Sequence, residues 1–138
     1  MAAFAMINTS YQSNQVQTAG PGQLLVMAYD GMIRFLREAQ RAMEQHDYEA
    51  QNRYIQKTQA LLLELQRVLD YEASPELATC LNNLYWWMYE KLTQANVKDD
   101  VQMLMEISRQ LAELREAWAI AAQQSRTSEP RQMVGGRC

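Results

Sequence analysis

The sequence predicts an all-α protein: an antiparallel up-down four-helix bundle with an N-terminal arm and a disordered C-terminal tail. Three observations carry this. Glycine and proline, the two poorest helix formers, number only 5 and 3 in 138 residues. Apolar residues recur at three-four spacing along four successive stretches. The connections between the stretches are short, and short connections make sequential helices antiparallel neighbours.

Residues 1–20 hold no sustained periodicity. Phe4, Ile7, Tyr11 and Val16 are dotted among Ala, Ser, Thr, Asn and Gln, so this arm is expected to be extended or weakly helical and to dock on something. The first helix is expected to begin near Pro21, a residue suited to a first helical turn, with Thr18 as a cap just upstream. Its apolar stripe is Leu25, Ala28, Met32, Phe35, Ala39 and Ala42, with a second stripe of Tyr29, Ile33, Leu36 and Met43. It ends near His46, and Asp47 can cap the next helix. The second helix reads from Asp47 to about Tyr71 on the stripe Ile55, Thr58, Leu62, Leu65 and Leu69. Ser74-Pro75-Glu76 then supplies a cap, a first turn and an acidic N-terminus. The third helix carries Leu77, Leu81, Leu84, Met88, Leu92 and Ala95, and Asn96–Asp99 form a turn. The fourth starts at Asp99 or Asp100 and shows Leu104, Ile107, Leu111, Leu114, Trp118 and Ala121. The pattern stops after Ser125. The expected organisation is an arm (1–20), a bundle (21–125) and a flexible tail (126–138).

Composition excludes several classes of function. Hydrophobic residues make up 48% and charged residues 21%, the balance of a globular protein. With a net charge of −3 there is no basic surplus to neutralise phosphates, so nucleic acid is not an expected partner. No apolar run approaches the roughly 18 residues of a membrane span, and Met1–Ser10 lacks the pattern of a secretion signal. Membrane insertion is not expected. Cys80 and Cys138 read as reduced thiols of a cytoplasmic protein.

Catalytic and metal chemistry also lack their residues. The one histidine, His46, falls in an expected turn, where neither an inward Glu-x-x-His pair nor an exposed mid-helix phosphotransfer site can be built. It reads as a solvated turn residue. Cys80 reads as a small buried hydrophobe rather than a nucleophile. Gly20-Pro21-Gly22 lacks the lysine and spacing of a phosphate loop. The chain is expected to be no enzyme, with no cofactor and no metal.

Residues 85–89, Tyr-Trp-Trp-Met-Tyr, are out of proportion to a four-helix core. Successive helix residues are about 100° apart, so if Met88 points inward with Leu84 and Leu92, Trp86 lies about 200° away. Trp87 and Tyr89 then sit on the flanks. The bundle cannot bury this ring alone, and such apolar patches mark interaction sites. The bland alternative keeps Trp87 and Tyr89 packed under neighbouring side chains. Six helical methionines (Met27, Met32, Met43, Met88, Met103 and Met105) are core filler taken singly, but methionine-rich surfaces also adapt to varied apolar partners.

Specific stretches resemble the FliS family of flagellar export chaperones. Tyr11-Gln12-Ser13-Asn14-Gln15-Val16 is similar to that family's N-terminal tyrosine motif. Residues 18–31, Thr-Ala-Gly-Pro-Gly-Gln-Leu-Leu-Val-Met-Ala-Tyr-Asp-Gly, resemble its first-helix signature. Residues 85–92, Tyr-Trp-Trp-Met-Tyr-Glu-Lys-Leu, followed by Ala95-Asn96 and Asp99, resemble its third-helix signature and turn. Ala117-Trp118 resembles a signature near the end of the last helix. The resemblance spans about residues 7–124 in order. The chain departs from it at Gly20 and Gly22 beside Pro21, which weakens the local cap, and at Trp86 and Trp87, which make the surface more apolar.

The resemblance implies a cytoplasmic chaperone that binds the disordered C-terminal segment of flagellin, prevents its premature polymerisation and delivers it to the flagellar type III export gate. In such proteins the client wraps the bundle and lays short helices into apolar grooves. The candidate client-binding residues are Leu24, Met27, Tyr29, Ile33, Tyr85, Trp86, Trp87 and Tyr89. Ile7 and Tyr11 are candidates for covering that surface or for docking on the export gate. Self-association without client is compatible with the same surface. The competing expectation is a structural bundle that forms a homodimer through its aromatic face.

Overall fold

The computed structural model describes residues 21–127, with no side-chain detail for Pro21 or residues 125–127. These residues form four α-helices: α1 (Pro21–Glu44), α2 (Tyr48–Arg67), α3 (Pro75–Lys98) and α4 (Val101–Thr127). The segments read as arm and tail, and with them Thr18, lie outside the described residues.

Helix order follows from which pairs touch. α1 packs on α2 and α4, and α3 closes the ring by packing on α2 and, least closely, on α4. Directions follow from side-chain pairs. Gln51 near the start of α2 meets Asn96 near the end of α3, and Gln66 near the end of α2 meets Asn82 near the start of α3. These two helices are therefore antiparallel, as expected.

Both tight turns use the same device. After α1, the Asp47 N–H donates to the Ala42 carbonyl at 2.8 Å; after α3, the Asp100 N–H donates to the Ala95 carbonyl at 3.0 Å. Each bond spans five residues and requires a left-handed residue before the donor, a position where glycine is usual. Here His46 (φ 60°) and Asp99 (φ 53°) take it. His46 thus serves a turn. It is exposed, and its Nδ1 lies 3.3 Å from the Tyr48 hydroxyl. Asp47 caps α2 as expected, its Oδ1 accepting from the Ala50 N–H, and Asp100 does the same for α4 with Met103. Ser74 flanks α3 but makes no side-chain cap bond.

The second helix ends at Arg67, four residues short of Tyr71. Asp70 explains this: its Oδ1 accepts from the N–H groups of Glu72 and Ala73, at 3.1 and 3.0 Å, and folds residues 70–73 into a turn. The third helix instead runs through the expected turn to Lys98.

The core is built from Met32, Leu36, Ile55, Leu62, Leu81, Met88, Leu92, Leu104, Ile107 and their neighbours. The inward stripe of α3 is Ala78, Leu81, Tyr85, Met88, Leu92 and Ala95. Tyr85 takes the inward position expected for Leu84, which is only half-buried. The α4 stripe is fully buried only as far as Leu111; Leu114, Trp118 and Ala121 are half-buried. Cys80 is disulfide-bonded rather than a reduced thiol. It is half-buried. Cys138 lies outside the described residues.

The α2–α3 seam is unusually polar. Gln51 Nε2 donates to Asn96 Oδ1 (3.0 Å) and Asp99 Oδ1 (2.9 Å), Gln59 Nε2 to Thr93 Oγ1 (2.8 Å) and the Tyr89 carbonyl (3.0 Å), and Gln66 Nε2 to Asn82 Oδ1 (3.0 Å). The α1–α4 seam is tighter. Arg115 Nε donates to Asp30 Oδ1 at 2.9 Å. At Gly22, an added Cβ would stand 2.9 Å from the Cβ of Ala122. Gly22 therefore lets the start of α1 approach the end of α4, a role the sequence reading, which saw only a weakened cap, did not find.

Candidate functional site

The bundle opens at the end where α1 begins, α2 ends, α3 begins and α4 ends. A cleft of about 470 Å³ lies there. Leu24 and Leu25 of α1 form one wall. Leu65, Val68 and Leu69 at the end of α2 form another, and Leu77, Leu81 and Tyr85 of α3 face them. Trp118 of α4 completes the lining. The rim is the turn that Asp70 organises, including Ala73 and Ser74. The wall is almost wholly hydrocarbon and aromatic, so it suits an apolar side chain rather than a charged or phosphorylated ligand.

The cleft residue Tyr85 also makes a polar contact with the core residue Tyr29. The Tyr29 and Tyr85 hydroxyls sit 2.5 Å apart. Burial pushes the Tyr29 hydroxyl up to about 12, against smaller opposing effects of Tyr85 and Trp118. Burial also raises Tyr85 well above its ordinary value, and the adjacent Tyr29 adds to this. Both are neutral phenols at physiological pH. The Trp118 ring lies 6.4 Å from that of Tyr29. Its Nε1–H is close enough to influence the Tyr29 hydroxyl but makes no hydrogen bond of proper geometry, and it is buried without a partner.

A second apolar surface lies on the outside of α3. Trp86 is 47% exposed and Trp87 37%. Trp86 stacks on the half-buried Tyr89, with centroids 5.4 Å apart and planes 15° from parallel. Lys91 Nζ stands 6.0 Å from the Trp87 centroid. Tyr89 is thus held as the floor of a Trp86 platform. Exposed Val97 lies further along α3.

The eight residues singled out from the sequence therefore separate. Leu24 and Tyr85 line the cleft. Trp86, Trp87 and Tyr89 form the outer surface. Met27 and Tyr29 lie in the core, and half-buried Ile33 packs against it. Ile7 and Tyr11 lie outside the described residues. Sequence reasoning missed Leu25, Leu65, Val68, Leu69, Leu77, Leu81 and Trp118 as cleft residues, because all but Val68 sit on a stripe that reads as core. One signal was available: Val68 is an apolar residue off the stripe of the second helix, and the structure leaves it half exposed.

No group of acidic, histidine or cysteine side chains among the described residues could hold a metal ion, and no described helix is long and apolar enough to cross a membrane.

The pattern of the family described as "Flagellar protein FliS" matches residues 3–125, most of the chain. The chain belongs to the FliS family. It is similar to the flagellar secretion chaperone FliS of Bacillus subtilis (strain 168), 39% identical over 118 residues that make up 86% of this chain and 87% of that protein. The proteins of the same name from Campylobacter jejuni and Salmonella typhimurium are 32% identical over 109 residues and 33% identical over 117. Those matches cover 79% and 84% of this chain, and 85% and 84% of the respective relatives. FliS is a family of chaperones and not of enzymes, so membership assigns this chain the role of a flagellar export chaperone. The cleft and the α3 surface of this FliS chain are the places to look for its client.

Proposed function

We propose that the protein is a cytoplasmic chaperone for flagellin. It binds flagellin's disordered C-terminal segment, prevents premature polymerisation and delivers the segment to the flagellar type III export gate. The observation that carries this reading is the open, almost wholly apolar cleft at one end of the bundle, lined from all four helices. An amphipathic client segment that folds on binding can place its apolar side chains there, and a further segment can lie across Trp86 and Trp87. Ordering a disordered client costs about 2 to 5 kcal/mol of the gross interaction, so two apolar surfaces serve such a client better than one.

The described residues begin at Pro21, shortly before the cleft residues Leu24 and Leu25. The reading gives Ile7 and Tyr11 two uses: to cover the apolar surface before the client arrives, and to engage the export gate afterwards. Calorimetry with the isolated C-terminal peptide of flagellin tests the central claim. A 1:1 complex is expected; no heat and no complex at tens of micromolar, across the flagellins of the organism, would sink it. The exposed Trp86–Tyr89 stack also suits a homodimer. Light scattering on the client-free chain tests that second reading, and a tight dimer with no flagellin binding would favour it.

A further inference from the structure

The outer edge shared by α1 and α2 concentrates positive charge. Between Gly31 and Met43 on α1, and between Ala50 and Leu63 on α2, the charged residues are Arg34, Arg37, Arg41, Arg53 and Lys57 against the single carboxylate of Glu38. The chain as a whole carries −3, so the rest of its surface is acidic. The helices bring part of this set together around two rings. Phe35 and Tyr54 face each other across the edge with centroids 6.2 Å apart. Lys57 Nζ stands 5.5 Å from both centroids, the Arg53 guanidinium 5.2 Å from Tyr54 and the Arg34 guanidinium 5.6 Å from Phe35.

These cations differ from others on the bundle. Arg109 is held by Glu106 and Glu113, and Arg115 by Asp30 and Glu116. Glu38 is engaged with Arg41 at 3.6 Å. Among the described residues Arg34, Arg53 and Lys57 have no carboxylate partner. Their charged heads stand over the aromatic rings, and no carboxylate occupies their N–H donors, which an incoming acceptor can reach.

We propose that this edge docks an acidic segment of a second protein. Its carboxylates would pair with Arg34, Arg53 and Lys57, and an apolar side chain between them would reach the half-buried edges of Phe35 and Tyr54. Charge complementarity selects the acidic partner, and the size of the patch selects a short segment. From Arg34 to Arg41 the edge runs about 10 Å along α1. A nucleic acid strand or a bilayer would extend past it onto the acidic remainder of the surface and be repelled. The rings, covered by cations and partly buried, do not offer the open faces on which bases stack. The edge shares no residue with the cleft or with the Trp86 platform, so the second protein can be held while a client occupies them.

Fluorescence anisotropy on the full chain tests this. The probe is a short fluorescein-labelled peptide of alternating glutamate and leucine. The controls are its lysine–leucine counterpart, a single-stranded oligonucleotide and phosphatidylglycerol vesicles. The glutamate peptide is expected to bind, more weakly as salt rises. The Arg34→Gln/Arg53→Gln/Lys57→Gln variant should lose about tenfold or more, whereas Trp86→Ala should bind as the parent does. Should the triple variant fail to unfold cooperatively, Lys57→Gln alone, which removes the cation shared by both rings, must still weaken binding. The proposal is overturned if the variants bind the peptide as tightly as the parent, if the peptide does not bind at low salt, or if oligonucleotide or vesicles bind more tightly through the same side chains. Flagellin C-terminal peptide measured on the same variants should be unaffected. Absence of that binding in the parent would count against the chaperone reading and not against this edge.

Discussion

The hydroxyls of Tyr29 and Tyr85 meet 2.5 Å apart inside the bundle. They join α1 and α3, which lie diagonally across the core. Both residues are essentially inaccessible, at 0% and 1% exposure, so each hydroxyl depends on the other. Replacing one by phenylalanine leaves a buried polar group without its partner, at a cost of about 1 to 3 kcal/mol. Replacing both removes the need. Tyr29→Phe and Tyr85→Phe should each lower the urea midpoint, and the double variant should lose less than the sum of the two. Strict additivity would show that the contact contributes nothing.

The same pair sets an alkaline limit. Tyr29 is pushed up to about 12 in the folded protein from an ordinary value of 10.0, and Tyr85 is raised as well. A raised value means the unfolded chain loses its proton first. The stabilisation is therefore whole below pH 10 and drains away as pH rises towards 12, by about 2 to 3 kcal/mol for Tyr29 alone. Other groups titrate in this range, so the useful quantity is a difference. Between pH 9 and 11.5 the parent should lose more stability than Tyr29→Phe/Tyr85→Phe. Parallel pH profiles would contradict this.

Trp86 and Leu62 should separate binding from folding. Leu62 is fully buried, and truncation to alanine should cost about 2 to 5 kcal/mol. Trp86 is about half exposed and rests chiefly on Tyr89, so Trp86→Ala should cost no more than the roughly 0.5 to 1.5 kcal/mol of an aromatic pair beyond its lost burial. Binding of the flagellin peptide should show the reverse, weakening about tenfold or more in Trp86→Ala. A Trp86 variant less stable than Leu62→Ala, or one with unchanged affinity, would remove Trp86 from the client surface.

The helices and their order were legible because periodicity reports which side of a helix is buried, and the turn residues Asp47 and Asp100 act locally. The outward position of Trp86 followed from helix geometry alone. What escaped depends on approach between distant elements. Leu81 and Trp118 read as core because periodicity tells inside from outside and cannot show that the inside is hollow at one end. Tyr85 is absent from the inward stripe read in the sequence because Leu84 fits that stripe equally well. The choice between them rests on Tyr29, which lies 56 residues away. Gly22 looked like a poor cap until Ala122 was found against it.

The third helix should be the least firmly held. It meets α2 through glutamine side chains and packs least on α4, whereas α1 is buried between two close neighbours. Polar contacts of this kind yield only about 0.5 to 1.5 kcal/mol each once exchange with water is counted. In native-state hydrogen exchange, central amides of α3 should open at lower free energy than those of α1 around Met32 and Leu36. Equal protection of both helices would show that α3 is no weaker than the rest. A client that spans the cleft and the α3 surface should raise α3 protection most.

Filling the cleft from its rim tests its role without disturbing the core. Ala73 borders the cleft, is exposed, and uses only its backbone N–H in the Asp70 turn. Ala73→Trp keeps that bond and adds an indole that can fold over Leu69 and Leu77. Covering apolar surface contributes about 25 cal/mol per Å², so the variant should be at least as stable as the parent. The indole would then occupy space the client needs. Its affinity cost is the free energy of moving the side chain aside, and a site closed nine-tenths of the time binds about tenfold more weakly. Asp70→Ala is the complementary variant. It frees the N–H groups of Glu72 and Ala73 and loosens the rim without adding bulk, so stability should fall while affinity for the flagellin peptide changes little. Calorimetry on both variants separates the outcomes. Full affinity in a folded Ala73→Trp protein would mean that the client does not enter the cleft and is held on the Trp86 surface alone.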